Sequence, residues 1–300
     1  MLEYMLEVFS YLPVSSFQLK AAMKTYINEQ LTWCNDSKFT LQFPYKETGL
    51  QQSFFQQKII SCDDGEYLTG PRYIGGDIQK PFIELVAGSA PLTRRATRSI
   101  YAEWQPMGAS SIRMLRPHDS TMCGRIDQYI YTGIRSEINT FSDCVGERVS
   151  LQQADVSMTG WCTQAIQEAY DDSYLKLPYL KQRVFPADEE EIHEAIKEAK
   201  LFIIYSGTSR VGVIICDQGQ RGFISGYWIT EEIILPEYKG KHLASRAQRL
   251  LYSVLPKHYS YKALWGTIVS GNTPSIRAAE LAGRKCVMEY VFLKEGDIHD

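Results

Sequence analysis

The chain has 300 residues, 44% of them hydrophobic, and its 32 Lys+Arg stand against 35 Asp+Glu for a formal net charge of −3. That length predicts two domains of ordinary size, and that composition fills full cores, which excludes intrinsic disorder as the overall state. The near-neutral balance argues against a dedicated nucleic-acid binder. No apolar run reaches the roughly 20 residues of a membrane span, and the start Met1-Leu2-Glu3-Tyr4 lacks the basic and apolar stretches of a secretory signal.

In chain order, Phe17, Leu19, Ala21, Ala22, Tyr26, Ile27 and Leu31 predict a helix over 14–33. PFIELVAG (81–88) predicts a strand, 92–104 a helix, and SIRMLRP (111–117) and QYIYTG (128–133) two further strands. Residues 134–147, with their Ser, Asn, Asp and Gly, predict a linker. The domain reading is therefore an N-terminal α/β domain over 1–144 and a C-terminal domain over 145–300.

The C-terminal half predicts a short strand from Arg148, then a helix through Trp161, Ala165, Ile166, Ala169 and Tyr170. DEEEIHEAIKEAK (188–200) predicts a second helix. Asp188 and Glu191 form its capping box, and Ile192, Ala195, Ile196 and Ala199 its apolar stripe. Strands follow at 201–207 and 211–217 around the turn Thr208-Ser209-Arg210. A second turn is expected at Asp217–Gln220, then a long strand over 222–235. Pro236 to Gly240 breaks that strand. Leu243, Ala247, Leu250, Leu251, Val254 and Leu255 give one helical face, stopped by Pro256. Leu264–Val269 predicts a strand, Thr273–Ala282 a helix and Cys286–Leu293 a last strand. The fold class is α/β, a mixed sheet with flanking helices.

The seven cysteines (Cys34, Cys62, Cys123, Cys144, Cys162, Cys216, Cys286) are odd in number and contain no C-x-x-C pair. They predict free thiols in a reducing compartment, hence a cytoplasmic location. His118, His193, His258 and His299 show no ligand spacing, so no metal site is expected.

The informative stretch is IILPEYKGKHLASRAQRLL (233–251). A strand enters a tight glycine-containing turn that opens into an amphipathic helix. The helix start offers unpaired N–H groups and the positive dipole end, Gly240 permits close backbone approach, and Lys239 and Lys241 add charge. That combination suits a phosphate group, although neither nucleotide-binding glycine fingerprint is present. Downstream, the strand ending at Asn272 leads into TPSIRAAELAG.

Together these segments resemble the Gcn5-related N-acetyltransferase (GNAT) family over roughly residues 148–294. Ile234-Leu235-Pro236-Glu237-Tyr238-Lys239-Gly240-Lys241-His242-Leu243-Ala244 stands in place of the family's V-x-P-E-Y-R-G-x-G-x-A. Asn272, Ser275, Ile276, Arg277, Glu280 and Gly283 match its later N-x-x-S/A-I-R-x-Y-E-x-x-G-F. The resemblance implies an acyl-CoA N-acyltransferase fold, mostly antiparallel, with a splayed fourth and fifth strand. It implies acetyl transfer from acetyl-CoA to a primary amine by direct attack in a ternary complex. The amine-bearing acceptor is a small molecule or a protein.

The resemblance further implies that backbone groups at Ile233, Ile234 and Leu235 hold the pantetheine arm. The amides of Lys239, Gly240, Lys241, His242, Leu243 and Ala244 would hold the pyrophosphate, with Asn272 and Ser275 beside the fifth strand. Glu231 is the candidate base and Glu232 its neighbour on the opposite face. The family's usual acid falls on Ala279, which leaves Tyr227, Tyr290 or His242. His242 also replaces the loop's second glycine, and Gly283-Arg284 replaces Gly-Phe. These departures favour the alternative of a non-catalytic acetyl-CoA-binding or protein-interaction module.

The N-terminal half follows a similar strand–helix–strand order and is read as a possible second, degenerate copy, with Arg94 at the glycine position. Tandem copies of this kind occur in some exported bacterial effectors, the alternative location. No membrane or nucleic-acid partner is expected.

Overall fold

The computed structural model describes residues 1–134, 148–256 and 263–298. In chain order its helices are α1 (Leu2–Val8), α2 (Ser16–Thr32), α3 (Tyr45–Thr48), α4 (Arg94–Trp104), α5 (Thr159–Lys176), α6 (Glu189–Lys197), α7 (Leu243–Val254) and α8 (Thr273–Leu281). The strands are β1 (Lys58–Cys62), β2 (Gly65–Tyr73), β3 (Pro81–Gly88), β4 (Ile112–Pro117), β5 (Arg125–Ile134), β6 (Val149–Gln153), β7 (Leu201–Ser206), β8 (Ser209–Arg221), β9 (Ile224–Ile234), β10 (Ala263–Val269) and β11 (Lys285–Leu293).

The chain divides into two compact units. The first comprises Met1–Tyr129, Gln220–Ile224 and Val287–Asp300, the second Ile130–Gly219 and Ser225–Cys286. The boundary expected between 144 and 145 lies outside the described residues, as does Cys144. The units are not consecutive halves of the chain: β5 runs into the second unit, and most of β11 belongs to the first.

In the first unit the strands lie in the order β1-β2-β3-β4-β11. The pairs β1–β2, β2–β3 and β4–β11 are antiparallel, and β3–β4 is parallel, joined through α4. One sheet face and α4 share a core of Tyr67, Ile83, Ile100, Trp104, Ile112, Val291 and Leu293. The Trp104 indole donates to Thr69 Oγ1 at 2.9 Å, which satisfies its buried N–H. The strands β1 and β2 and the helix α1 lie outside the elements predicted from the sequence.

In the second unit the order is β10-β9-β8-β7-β6. The pairs β6–β7 and β7–β8 are antiparallel, while β10 runs parallel to β9 after the α7 crossover. Alternation assigns each face its own core. Phe202, Ile204, Ile214 and Cys216 pack with Leu243, Ala247 and Leu251 of α7. Leu201, Ile203, Val213 and Ile215 pack with Ile166, Ala169, Ile192 and Ile196 of α5 and α6. Both units are therefore mixed sheets with flanking helices.

Local differences have local causes. The β7–β8 turn is Gly207-Thr208, with Ser206 opposite Ser209, so β8 starts inside the expected turn. It then runs through Asp217–Gln220 to a turn at Gly222. The capping box of Asp188 and Glu191 forms as expected, but α6 ends at Lys197, and Ala199 takes a left-handed φ of 61° in an exposed position.

Candidate functional site

The β9–β10 pairing is short. Leu264 lies opposite Tyr227, Trp265 opposite Trp228 and Gly266 opposite Ile229. Among the described residues the ladder ends there, yet β9 continues to Ile234 and β10 to Val269. The two strands therefore part toward their C-terminal ends. On its other edge, β9 bonds β8: the Leu235 N–H donates to the Val211 carbonyl at 2.9 Å. Alternation then aims the backbone groups of Ile234 and Glu232 at the opening. The Glu232 N–H takes the Glu231 carboxylate at 3.1 Å instead of a neighbouring strand.

At the open end a one-turn helix, Pro236–Tyr238, leads into Lys239, Gly240, Lys241, His242 and α7. Gly240 has φ 83°, and a Cβ placed there would meet nothing within 4 Å, so the loop presents open backbone. His242 caps α7 in the left-handed region at φ 58°, and its side chain makes no capping hydrogen bond. A glycine would take that conformation freely, whereas an L side chain costs about 1 kcal/mol or more. The charge expected from Lys239 is directed elsewhere. Its Nζ pairs with Asp172 Oδ2 at 2.7 Å and touches the Ser173 hydroxyl at 3.2 Å. Lys241 Nζ lies 5.3 Å from the centre of the Tyr238 ring and remains exposed.

The two glutamates point to opposite faces. Glu231 turns toward α5, where the Tyr170 hydroxyl donates to Oε1 at 3.1 Å and to Oε2 at 3.0 Å, and the Ala187 N–H donates to Oε2 at 3.4 Å. Burial raises its pKa to about 7 against these donors. Glu232 turns toward α7, and Gln248 Nε2 donates to its Oε2 at 2.7 Å. Burial raises it to about 7 as well, opposed by Gln248 and the Arg284 charge. Gln248 in turn accepts from Arg284 Nη1 at 3.1 Å, and Arg284 Nη2 donates to the Tyr131 carbonyl at 3.0 Å. The arginine at the Gly-Phe position thus closes a buried network, and burial lowers its pKa to about 10.

The other expected residues separate. The side chains of Ile233 and Leu235 fill the α5–α6 core and Ile234 the α7 core, with Leu243 beside it, which leaves backbone for the opening. Ala244 is partly buried against the same core. Asn272 caps α8, its Oδ1 accepting from the Ser275 N–H at 3.4 Å, so these two residues meet as a helix start. Tyr227 donates its hydroxyl to the Pro256 carbonyl at 2.6 Å. Tyr290 belongs to the first unit, on β11 opposite Leu115, with the Arg113 guanidinium 3.9 Å from its ring centre. Tyr170, Gln248 and Arg284 were not expected as partners of the glutamates. In the sequence Tyr170 reads only as part of a helical stripe, and the one signal for Arg284 is its departure from the motif.

The corresponding loop of the first unit is closed by side chains. Thr93 accepts from the Ala96 N–H at 3.1 Å and donates to Asp64 Oδ2 at 2.6 Å. Arg95 pairs with Asp63 at 2.5 Å. The β1–β2 turn thereby places two carboxylates beside the start of α4, one paired with Arg95 and one bonded to the capping Thr93.

Among the described residues no helix is long and apolar enough to cross a membrane, and no group of three or more His, Cys, Asp or Glu is placed to hold a metal ion. No protein-family model matches the chain, and no curated protein matches it by sequence. In fold, the chain is similar to a GCN5-related N-acetyltransferase from Sphaerobacter thermophilus, at 10% identity and a TM-score of 0.47, over 76% of this chain and 77% of the other. It is similar to a GNAT-family acetyltransferase from Colwellia psychrerythraea at 9% identity and a TM-score of 0.47, over 76% and 85%. A tandem GNAT protein from the clavulanic acid biosynthesis pathway is similar at 10% identity and a TM-score of 0.42, over 77% and 79%. These likenesses concern chain architecture alone, and the chemistry of the site rests on its own residues.

Proposed function

We propose that the second unit binds acetyl-CoA between β9 and β10 and transfers its acetyl group to an amine. The observation that carries this reading is the parting of β9 from β10 beyond Ile229 and Gly266, directly ahead of an α7 start with no side-chain cap. The residues fit such a group. Open backbone at Gly240 and the amides through Ala244 suit a pyrophosphate, Lys241 adds charge, and the slot-facing backbone of Ile234 suits an amide-bearing arm. Acetyl-CoA supplies an activated thioester.

The chain's own part is to orient the acceptor and take its proton. An amine near the lysine pKa is almost wholly protonated at pH 7, so a base must stand beside it. Glu231, raised to about 7 by burial, attracts the ammonium while ionised and holds a proton near neutral pH. Tyr170 and the Ala187 and Glu232 amides fix its orientation.

A second reading, binding without turnover, is favoured by Ala279. It is fully buried where the resembled family carries an acid, so α8 offers no donor at that position. Titration of the whole chain with acetyl-CoA, and thiol release with a panel of amines, separate the readings. Binding with release supports transfer. Binding without release under every amine supports the second reading, and no binding removes both. Gly240→Asp adds a side chain and a negative charge at the loop and is expected to weaken acetyl-CoA binding at least tenfold.

A further inference from the structure

The first unit carries a polar sheet face that the acyl-transfer reading leaves unused. Register places its members. Glu84 of β3 lies opposite Arg113 of β4 and opposite Gly70 of β2. Arg72 is two residues beyond Gly70 and so shares its face. On β11, Phe292 lies opposite Arg113, and Tyr290, two residues away, shares the face again. Gly70 puts no side chain opposite Glu84. A Cβ there would come within 3.0 Å of Gln57 Oε1 and 3.2 Å of Arg72 Nη1. From α2, Tyr26 comes within electrostatic reach of Tyr290, Glu84 and Arg72.

The charges on this face are unevenly matched. Arg113 is fully engaged: Nε meets Asp127 at 2.8 Å, Nη1 meets Glu84 at 3.4 Å and Nη2 meets Gln128 at 3.3 Å. Arg72 makes one hydrogen bond among the described residues, from Nη1 to the Pro71 carbonyl at 2.7 Å. Glu84 makes one hydrogen bond among the described residues, the 3.4 Å contact with Arg113. The phenols of Tyr26 and Tyr290 have no hydrogen-bond partner among the described residues. Burial lowers the Arg72 pKa and raises that of Glu84, opposed in each case by the attraction between these two charges and, for Glu84, by Arg113. Burial also pushes Tyr290 up to about 12, so it remains an O–H donor at neutral pH. The side chains of Glu84 and Arg113 keep 14% and 17% exposure, so the face is reachable by a small solute.

We propose that this face binds a small zwitterion, an amino acid or a comparable amino carboxylate. Its carboxylate is taken by Arg72 with the Tyr26 and Tyr290 hydroxyls, and its ammonium by Glu84. A simple anion would serve Arg72 but set a like charge beside Glu84. A simple amine would do the reverse. A zwitterion supplies both counter-charges at once, which offsets the cost of keeping two charges out of water. The inference does not depend on acetyl transfer.

The test is calorimetric titration of the whole chain with each of the twenty amino acids, and with propionate and propylamine as single-charge probes. At least one amino acid is expected to bind, at least tenfold more tightly than either single-charge probe. Arg72→Met and Glu84→Gln are each expected to weaken that binding at least tenfold. Tyr290→Phe keeps the ring under Arg113 and is expected to weaken it about threefold or more, which keeps the test decisive if the charge variants fail to fold. No heat from any amino acid at millimolar concentration overturns the proposal. So does propionate or propylamine binding as tightly as the best amino acid, or a Tyr290→Phe protein that binds unchanged.

Discussion

Glu231 and Glu232 are chemically identical neighbours, and strand alternation sends them to unlike surroundings. Glu231 faces Tyr170 and the Ala187 amide, while Glu232 faces Gln248 within reach of the Arg284 charge. Only the first is proposed as the base that takes the acceptor's proton. Glu231→Gln keeps the shape and removes the basic oxygen. It is expected to lower kcat at least tenfold while acetyl-CoA affinity, read by titration, stays within about twofold. Glu232→Gln is expected to leave kcat within about threefold. The reverse ranking would assign the base to the other carboxylate. The wild-type kcat/KM is expected to rise with pH through about 7 and then level, because the base acts only when ionised. The Glu231→Gln protein should lose that rising limb.

The same residues make a stability prediction. Both carboxyls are raised by burial from 4.5 to about 7 in the folded state. The folded protein therefore binds more protons than the unfolded chain between those values. The stabilisation is full below about 4.5 and is lost as pH rises through about 7. Glu232→Gln, which removes the charge but keeps an acceptor for Gln248, is expected to raise Tm relative to wild type at pH 8 and to change it little at pH 5. A Tm difference that is the same at both pH values would show that Glu232 does not ionise in this range.

At the scale of elements, the two units repeat a local plan with opposite outcomes. Each has a strand, a crossover helix and a parallel strand paired over only three residues: Ile83 to Leu85 with Ile112 to Met114, and Tyr227 to Ile229 with Leu264 to Gly266. The positions that hold stacked Trp228 and Trp265 in one unit hold Glu84 and Arg113 in the other. The helix starts diverge further. The start of α7 has no side-chain cap, whereas Thr93 caps α4 with Asp64 behind it. Acetyl-CoA is therefore expected to slow amide hydrogen exchange over 239–245 and to leave 89–96 unchanged. Protection of the second segment would show that the α4 start also takes an anion. Thr93→Ala removes the cap and is expected to cost about 1 kcal/mol of stability, measured by denaturant unfolding.

At the scale of the whole molecule, the two compact units are not consecutive stretches of the chain. Residues 130–134 complete the second unit, and 287–298 complete the first. Neither 1–144 nor 145–300 contains all of the strands of either unit. Each fragment expressed alone is expected to lack a cooperative thermal transition, read by circular dichroism, while the whole chain keeps one. A cooperative transition in the 145–300 fragment would show that β5 is dispensable to the second unit.

What the sequence determined by itself was local. The helix α6 and its capping box follow from Asp188, Glu191 and an apolar stripe within one short segment. The β9–turn–α7 stretch follows from Pro236, Gly240 and the spacing of Leu243, Ala247 and Leu251. Patterns of period two and 3.6 are carried by neighbours along the chain, so one segment suffices to read them. The tertiary structure decided what depends on residues far apart. It turned Lys239 from the loop to Asp172, tied Glu232 through Gln248 to Arg284, and assigned Tyr290 to the first unit. The β1–β2 hairpin was not legible because its residues alternate weakly. Its place is set by pairing with β3, and Gly70 gains meaning only from Glu84 across that pairing. Side-chain direction and charge pairing depend on the partner that packing supplies, and no spacing along the chain encodes that partner.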